Sequence, residues 1–448
     1  MSFNRVGRKP VVSFQVKGGS ESPMAKKKPK NKLQTVLAAA CLLSISCAAY
    51  SQTQPSSSAP VILTMQQAVD IARMKNPTLL SSQQNLLSVK AQEVQAGVRS
   101  NPYLTGGGSN VTLGADSNNP YDYYVGVGRL FERGEKRRWR LDSARSTTAQ
   151  TDAQYHAQEQ QTILSVRQAF TSFVIAKAAK KLADDNLADF KHELDIGRER
   201  YKAGDIAKLD FERLDLQLAQ FETDESTAIT NAQQASIQLQ ALLGYDKPRT
   251  DFDVIGEVVP PVVSETMESL EQKALAARPD YHAAHLGVAV ADANVKLAYA
   301  NGTADPTADV TYNRNGPDNS LGFDVTLPLR FFDRNQGNKD TAKYTAQATR
   351  FTELATRNQV FADVDQAWSG YANAKILSDR YNGHYLDEAK DVLDISKFSY
   401  EHGGLALIDY LDALRDSRSV TTDALNAYSQ TWMAIHQLSF STATEIIP

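Results

Sequence analysis

Two long stretches of the chain repeat apolar residues at spacings of three and four. These stretches, residues 121–247 and 329–447, contain none of the sixteen prolines of the sequence. Examples of the spacing are Ile163, Val166, Phe170 and Phe173 in the first stretch and Phe361, Val364, Trp368 and Tyr371 in the second. The pattern predicts amphipathic helices, and stripes this narrow are typical of long helices packed side by side. One helix is predicted at 135–203, a length of roughly 100 Å at 1.5 Å per residue.

Two shorter segments alternate apolar and polar residues with the period of a β-strand. In residues 121–131 the apolar or aromatic side chains stand mainly at odd positions, and the same holds for residues 321–329. The predicted partner strands and connecting turns are 104–115 with 116–120, and 309–313 with 314–319. Strands of about 9 to 11 residues with one apolar and one polar face are what a transmembrane barrel requires.

The chain contains an internal repeat of about 200 residues. Arg129–Arg133 (RLFER) recurs as Arg330–Arg334 (RFFDR) at an offset of 201, and Tyr201–Gly204 (YKAG) recurs as Tyr400–Gly403 (YEHG) at an offset of 199. Each unit has the order short helix, second helix, strand pair, very long helix, break and return helix. We therefore expect a first repeat at 61–250, an inter-repeat linker at 251–264 and a second repeat at 265–448.

The N-terminal region has the composition of a secretory leader. After Met24, a basic segment precedes a short apolar run at 33–46, and small residues follow. This order predicts a signal peptide within an N-terminal extension at 1–51, followed by a linker at 52–60. Residues 1–23 carry no pattern, which leaves Met1 and Met24 as alternative starts.

Both cysteines of the sequence, Cys41 and Cys47, fall in this leader. Cleavage near Ser51 would leave a mature chain without disulfide or thiol chemistry. Lipidation at Cys47 stays open as an alternative.

Removal of the leader makes the chain strongly acidic. Without residues 1–51 the sequence holds 39 basic and 51 acidic residues, a net charge of −12. This balance disfavours nucleic acid as a partner and suits an interior that attracts cations. No run of 18 or more apolar residues follows the leader, so no helix is predicted to span a membrane.

Each chain supplies four predicted membrane strands, too few for a barrel of its own. Single-chain barrels begin at about eight strands, and an open strand edge in lipid leaves backbone groups unpaired. Several chains must therefore pool their strands. An oligomeric barrel continued by long helices is a channel by geometry.

The element order and two junctions resemble the TolC-type outer membrane factors over nearly the whole mature chain. The strand-to-helix junctions Phe131–Arg137 and Leu329–Gly337, the latter with the run FDRNQG, are similar to those of the CzcC-like heavy-metal branch. The resemblance implies a mainly α fold with a small β part and an internal two-fold repeat. Long antiparallel α-helical hairpins would form a tunnel, and four transmembrane β-strands per chain would join a trimeric twelve-stranded β-barrel.

The same resemblance implies a location and partners. The chain is expected in the bacterial outer membrane, in contact with its lipid, with the helical tunnel in the periplasm. The implied partners are two further copies in a homotrimer, a periplasmic adaptor (membrane fusion protein) and an inner-membrane pump. No cofactor is implied.

The breaks after the long helices resemble the periplasmic tip of this family. The resemblance assigns adaptor docking to two turns, formed by Ala203, Gly204, Asp205, His402, Gly403 and Gly404. It assigns a carboxylate gate to Asp210, Asp409 and Asp412, beside a tip constriction formed by Tyr201, Tyr400 and Arg415. Independently of the resemblance, Asp409 and Asp412 are three residues apart on one helical face, and threefold assembly would stack them as two carboxylate rings.

Each candidate has a simpler structural interpretation. The aspartates fit a solvated helix face with local pairing, such as Asp412 with Arg415, and the two tyrosines fit packing across a helix seam. His282 and His285 have a spacing that permits metal binding from one helical turn. No further ligand lies near them in sequence, so no metal site is predicted.

The sequence therefore predicts the passive exit duct of a tripartite efflux system, opened by docking of an adaptor and a pump, with heavy-metal cations as one class of cargo. No phosphate loop, nucleophile elbow or paired catalytic carboxylate is present, so an enzyme is not expected. The duct of a type I protein secretion system shares the architecture and stays open as an alternative. A periplasmic adaptor is disfavoured, because it carries one hairpin flanked by β domains.

Overall fold

A computed structural model describes residues 61–109 and 122–446. Its helices are α1 (Met65–Lys75), α2 (Pro77–Ala96), α3 (Lys136–Ala203), α4 (Lys208–Leu242), α5 (Met267–Ala277), α6 (Pro279–Asn301), α7 (Gln336–Arg380), α8 (Leu386–Glu401) and α9 (Leu407–Thr442), with a π-helical turn (Tyr381–Tyr385) between α7 and α8. Its strands are β1 (Val61–Leu63), β2 (Tyr103–Ser109), β3 (Asp122–Leu130), β4 (Phe252–Val254), β5 (Thr307–Asn315) and β6 (Asp318–Thr326). The expected signal peptide, the linker 52–60 and the turn 116–120 lie outside the described residues.

The predicted long helix of the first repeat is confirmed. Helix α3 has 68 residues, a length of roughly 100 Å. The residue before each long helix adopts the left-handed conformation, with φ of +58° at Glu135 and +59° at Asn335. Because both repeats turn from strand into helix with the same backbone geometry, the internal repeat holds at the level of structure.

The long helix of the second repeat differs from the expectation of a single uninterrupted helix. The π-helical turn separates α7 from α8, and Gly383 stands inside it. Glycine has a low helix propensity, and the α3 helix of the first repeat has no such interruption.

The sheet of the membrane strands has the antiparallel order β2-β3-β5-β6. The pairing of β5 with β6 runs from Thr307 opposite Thr326 to Asn315 opposite Asp318. The predicted bounds 309–313 and 321–329 and the turn 314–319 were therefore wrong by several residues. Only two residues connect the strands, with Gly316 at φ +60°, and the ladder ends before Pro328, which has no N–H to donate.

The two faces of this sheet differ in polarity, as the period-two alternation predicted. Leu321, Phe323 and Val325 of β6 are 67%, 76% and 73% exposed on one face of the isolated chain. The arginines on this face, Arg129 and Arg314, stand near strand ends. The opposite face is polar.

Each repeat has its own hydrophobic core against the middle part of its long helix. In the first, Val69 of α1 packs with Phe170 of α3 and Leu239 of α4. In the second, Leu270 of α5 packs with Val364 of α7 and Leu438 of α9. Leu239 and Leu438 occupy corresponding positions of the duplication, at an offset of 199.

A histidine is buried where α3 meets α9. The Nε2 atom of His436 lies 2.8 Å from the Thr171 hydroxyl, and its ring stacks on Trp432. Burial, with a smaller contribution from Arg167, lowers the pKa of His436 from 6.5 to about 4. The folded chain therefore favours the neutral imidazole.

The three tryptophans pack between elements. Trp432 donates from Nε1 to the Val258 carbonyl at 3.1 Å, and Trp368 packs against the second core. Trp139 lies beneath the Lys296 ammonium, 4.9 Å from its ring centroid. Along the described part of the chain, none of the helices combines the length and apolar composition needed to cross a membrane.

Candidate functional site at the hairpin ends

Glycine makes the turn at the end of both hairpins. We call α3 and α4 the first hairpin and α8 and α9 the second hairpin. Gly204 has φ +86° and Gly403 has φ +75°, a conformation that glycine adopts without steric cost. The Gly204 N–H donates to the Tyr201 carbonyl at 3.0 Å, and the Gly403 N–H donates to the Tyr400 carbonyl at 3.1 Å.

The six turn residues that the sequence singled out are all exposed: Ala203, Gly204, Asp205, His402, Gly403 and Gly404. A side chain added at Gly204 or Gly403 would meet no atom within 4 Å. The turns therefore present backbone and short side chains to solvent.

The candidate aspartates occupy equivalent positions in the two repeats. Asp210 is the third residue of α4 and Asp409 is the third residue of α9. A carboxylate in the first turn of a helix is stabilised by the helix dipole, so a local structural role accounts for both. The Asp412 carboxylate lies 3.0 Å from Arg415, and the Asp210 carboxylate lies 3.8 Å from Arg213.

In each hairpin, an aromatic pair packs between the last turn of the first helix and the first turn of the second. Tyr201 stacks on Phe211 with ring centroids 5.3 Å apart, and Tyr400 stacks on Tyr410 at 5.2 Å. The rings are nearly parallel in both pairs, at 7° and 3°. The pair of the second hairpin is the more enclosed, and burial raises the pKa of Tyr410 well above its usual value.

Side chains that sequence reasoning missed connect the two hairpins. The Lys397 ammonium of α8 lies 2.5 Å from the Glu193 carboxylate of α3, whose side chain is 8% exposed. Hydrogen bonding to Glu193 raises the pKa of Lys397. The Arg200 guanidinium of α3 lies 5.3 Å from the ring centroid of Tyr400.

A third connection joins the return helices. The Arg418 guanidinium of α9 pairs with the Asp224 carboxylate of α4 and lies 4.1 Å from the ring centroid of Phe221. Its side chain is 18% exposed, and burial lowers its pKa. We call the contacts of Lys397, Arg200 and Arg418 the inter-hairpin contacts.

The inter-hairpin contacts surround an apolar cluster. The first hairpin contributes Phe190, Leu214 and Phe221, and the second contributes Leu407 and Tyr410. Moving one hairpin away from the other would break the three polar contacts and expose this cluster. The hairpin ends are thus held together by contacts that a bound partner could oppose.

The polar face of the membrane sheet carries carboxylates. Asp309 of β5 stands directly opposite Asp324 of β6, and like charges so placed destabilise a sheet. The Tyr103 hydroxyl donates to the Asp309 carboxylate at 2.7 Å across Gly128, where a Cβ would lie 1.9 Å from an Asp309 oxygen. Within β2, β3, β5 and β6 as described, neither Lys nor Arg stands on this face.

Comparison with known proteins places these features in a family. The outer membrane efflux protein family matches residues 68–245 and 270–444, once for each repeat. The chain belongs to this family.

Individual relatives agree with that assignment. The cobalt-zinc-cadmium resistance protein CzcC of Cupriavidus metallidurans is 24% identical over 375 residues, covering 83% of this chain and 88% of CzcC. Outer membrane protein TolC of Vibrio cholerae is 24% identical over 315 residues, covering 66% of this chain and 71% of TolC. The structure of CusC has a TM-score of 0.73 at 18% identity, covering 88% of this chain and 95% of CusC.

Membership confirms the TolC-type resemblance and the fold class of barrel strands and tunnel helices. This outer membrane efflux protein is a channel rather than an enzyme. It resides in the bacterial outer membrane, with its helical tunnel in the periplasm.

The two histidines whose spacing permits metal binding, His282 and His285, lie apart from other potential metal ligands and make separate hydrogen bonds. His282 Nε2 lies 2.8 Å from the Ala276 carbonyl, and His285 Nδ1 lies 2.6 Å from the Glu353 carboxylate. In residues 61–109 and 122–446, no group of three or more His, Cys, Asp or Glu side chains is arranged to hold a metal ion.

Proposed function

We propose that this channel is the exit duct of a tripartite efflux system, formed by three copies of the chain. The observation that carries the proposal is the four-stranded sheet with two free edges, β2 and β6. Unpaired edges are not tolerated in lipid, and three copies of four strands close a twelve-stranded barrel. A ring of identical head-to-tail contacts removes every edge.

The proposed cargo is heavy-metal cations. The polar face of the sheet carries Asp309 opposite Asp324, and threefold assembly would repeat this pair around the lumen. Carboxylate rings favour cations in a pore. The likeness to CzcC, a cobalt-zinc-cadmium resistance protein, supports the same cargo class.

The proposed entrance lies at the hairpin ends. Asp210, Asp409 and Asp412 would form carboxylate rings in the trimer, with Arg415 as the neighbouring counter-charge and Tyr201 and Tyr400 beside the constriction. The exposed turns would dock the periplasmic adaptor, and the adaptor together with an inner-membrane pump would move the hairpins apart. The channel itself consumes no energy.

We also propose the division of the chain into a first repeat at 61–250, a linker at 251–264 and a second repeat at 265–448.

Docking at the turns is tested by photo-crosslinking in cells. A photoreactive amino acid at Asp205 or His402 is expected to capture the periplasmic adaptor, because both side chains are exposed at the turns. The same amino acid at Gln220, an exposed residue on α4 beyond the turn, serves as the matched control and is expected to capture far less. Strong adaptor crosslinks from Gln220 with none from Asp205 or His402 would contradict docking at the turns.

A further inference from the structure

The helical segments that lead from the sheet to the two hairpin turns are built differently. Helix α3 continues for 68 residues without interruption, whereas α7 ends at Arg380 and the π-helical turn Tyr381–Tyr385 follows. The Leu386 N–H donates to the Tyr381 carbonyl, five residues back. Single π-turns within α-helices are frequent at functional sites.

The π-helical turn is poorly restrained by its surroundings. Gly383 stands at its centre, and a side chain there would meet no atom within 4 Å. Residues 382–385 are exposed. Its contact with α9 includes a long hydrogen bond of 3.5 Å from the Tyr428 hydroxyl to Asn382. Glycine has the lowest helix propensity apart from proline, so this turn bends more readily than the helices on either side.

Helix α8, which follows the turn, is weakly packed. It has no buried residue in the isolated chain, whereas the corresponding end of α3 buries Leu187, Phe190, Glu193, Leu194 and Gly197. Three apolar side chains of α8 are exposed, at Val392, Ile395 and Phe398. Low burial marks the segments that move first.

A second break bounds α8 at its far end. Gly403 has φ +75° and open space around it. Helix α8 therefore spans 16 residues between two breaks, each of which contains a glycine with open space around it. The polar contacts that tie it to α3 are the Lys397 ion pair with Glu193 and the Arg200 contact with Tyr400.

We propose that the π-helical turn Tyr381–Tyr385 is the hinge about which α8 swings when the hairpin ends separate, while α7 keeps its position. This inference rests on the proposed function, because it assigns the opening motion of that channel to one joint. Hinges of this kind absorb a large backbone change in a few residues.

Spin labels on either side of the hinge test this assignment in the assembled trimer. Ser369→Cys labels α7 and Asp394→Cys labels α8 at exposed positions, and serine replaces Cys41 and Cys47. Pulsed electron paramagnetic resonance measures the distances between subunits, with and without the unlocking substitutions Lys397→Ala and Arg418→Ala. Residue 394 lies about 16 Å along the helix from Gly383, so a swing of about 20° moves it by about 5 Å.

The expected result is a shift at residue 394 on unlocking and an unchanged distance at residue 369. Gly383→Ala should reduce that shift, because alanine favours the helical conformation over glycine by about fivefold. It should lower the open probability of the unlocked channel by the same factor, about fivefold. Gly370→Ala is the matched control, because Gly370 is also an exposed helical glycine with open space around it. It should change neither quantity.

Two outcomes overturn the hinge alone: equal shifts at residues 369 and 394 in a trimer that conducts, or a shift at residue 394 that Gly383→Ala leaves unchanged. A trimer that conducts neither before nor after unlocking overturns the proposed function and the hinge together. The conductance measurement therefore separates the two failures.

Discussion

Replacing Lys397 and Arg418 together by alanine will open the channel in the absence of its partners. Each substitution removes a charged contact between the two hairpins. Hydrogen bonds to charged groups contribute about 1.5 kcal/mol or more each. Losing two changes the balance between closed and open hairpins by about 3 kcal/mol, which is about a hundredfold in open probability.

Influx of a large hydrophilic antibiotic into cells measures this effect. Cells with the double variant should become sensitive to vancomycin, which an intact outer membrane excludes, while the wild type stays resistant. Lys390→Ala and Arg198→Ala are the matched controls, because Lys390 is exposed on α8 and Arg198 pairs with Asp195 on its own helix. Unchanged influx through a variant that assembles at the wild-type level would show that these contacts do not hold the channel closed.

Acid will weaken the folded chain through His436. Its pKa is about 4 in the folded chain against an ordinary 6.5, so between these values the folded chain binds fewer protons than the unfolded chain. The stabilisation from the neutral imidazole is fully present above about pH 6.5 and is lost as the pH falls through about 4. At 1.36 kcal/mol per pKa unit, the loss is about 3 kcal/mol per chain.

His436→Gln isolates this contribution, because glutamine keeps a hydrogen-bonding group near Thr171 and does not titrate. The thermal unfolding midpoint of the purified protein should fall between pH 7 and pH 4 in both proteins, and less in the variant. Arg167 and Glu445, which pair beside the histidine, are unchanged in both. An identical fall in the two proteins would assign the acid sensitivity to other groups.

Local sequence patterns determined much of the fold. The apolar spacing and the absence of proline from 121–247 predicted α3 nearly to the residue, because a long helix depends on periodicity and on the lack of a breaker. The glycine turns were recognisable, since Gly204 and Gly403 recur at corresponding positions of the repeat. The alternation around β6 predicted its polar and apolar faces, but the apolar pattern continues past Pro328, where the ladder cannot.

No local sequence pattern predicted the inter-hairpin contacts. About 200 residues of sequence separate Lys397 from Glu193 and Arg418 from Asp224, so no local spacing relates the partners. The π-helical turn was not predicted either, because an isolated glycine such as Gly383 is tolerated within a helical sequence pattern. The gate aspartates remain a prediction, since their place in the first turns of α4 and α9 also fits helix stabilisation.

Conductance of the purified trimer across a planar lipid bilayer tests the central claim most directly. The account predicts discrete cation-selective steps for the wild type, a weaker cation preference for Asp309→Asn with Asp324→Asn, and weaker block by divalent cations for Asp409→Asn with Asp412→Asn. Asp416→Asn, an exposed carboxylate on the same helix, should leave both properties unchanged. Absence of steps from both the correctly assembled wild-type trimer and the Lys397→Ala/Arg418→Ala variant would contradict the assignment of this chain as a channel with a path through its strands and helices.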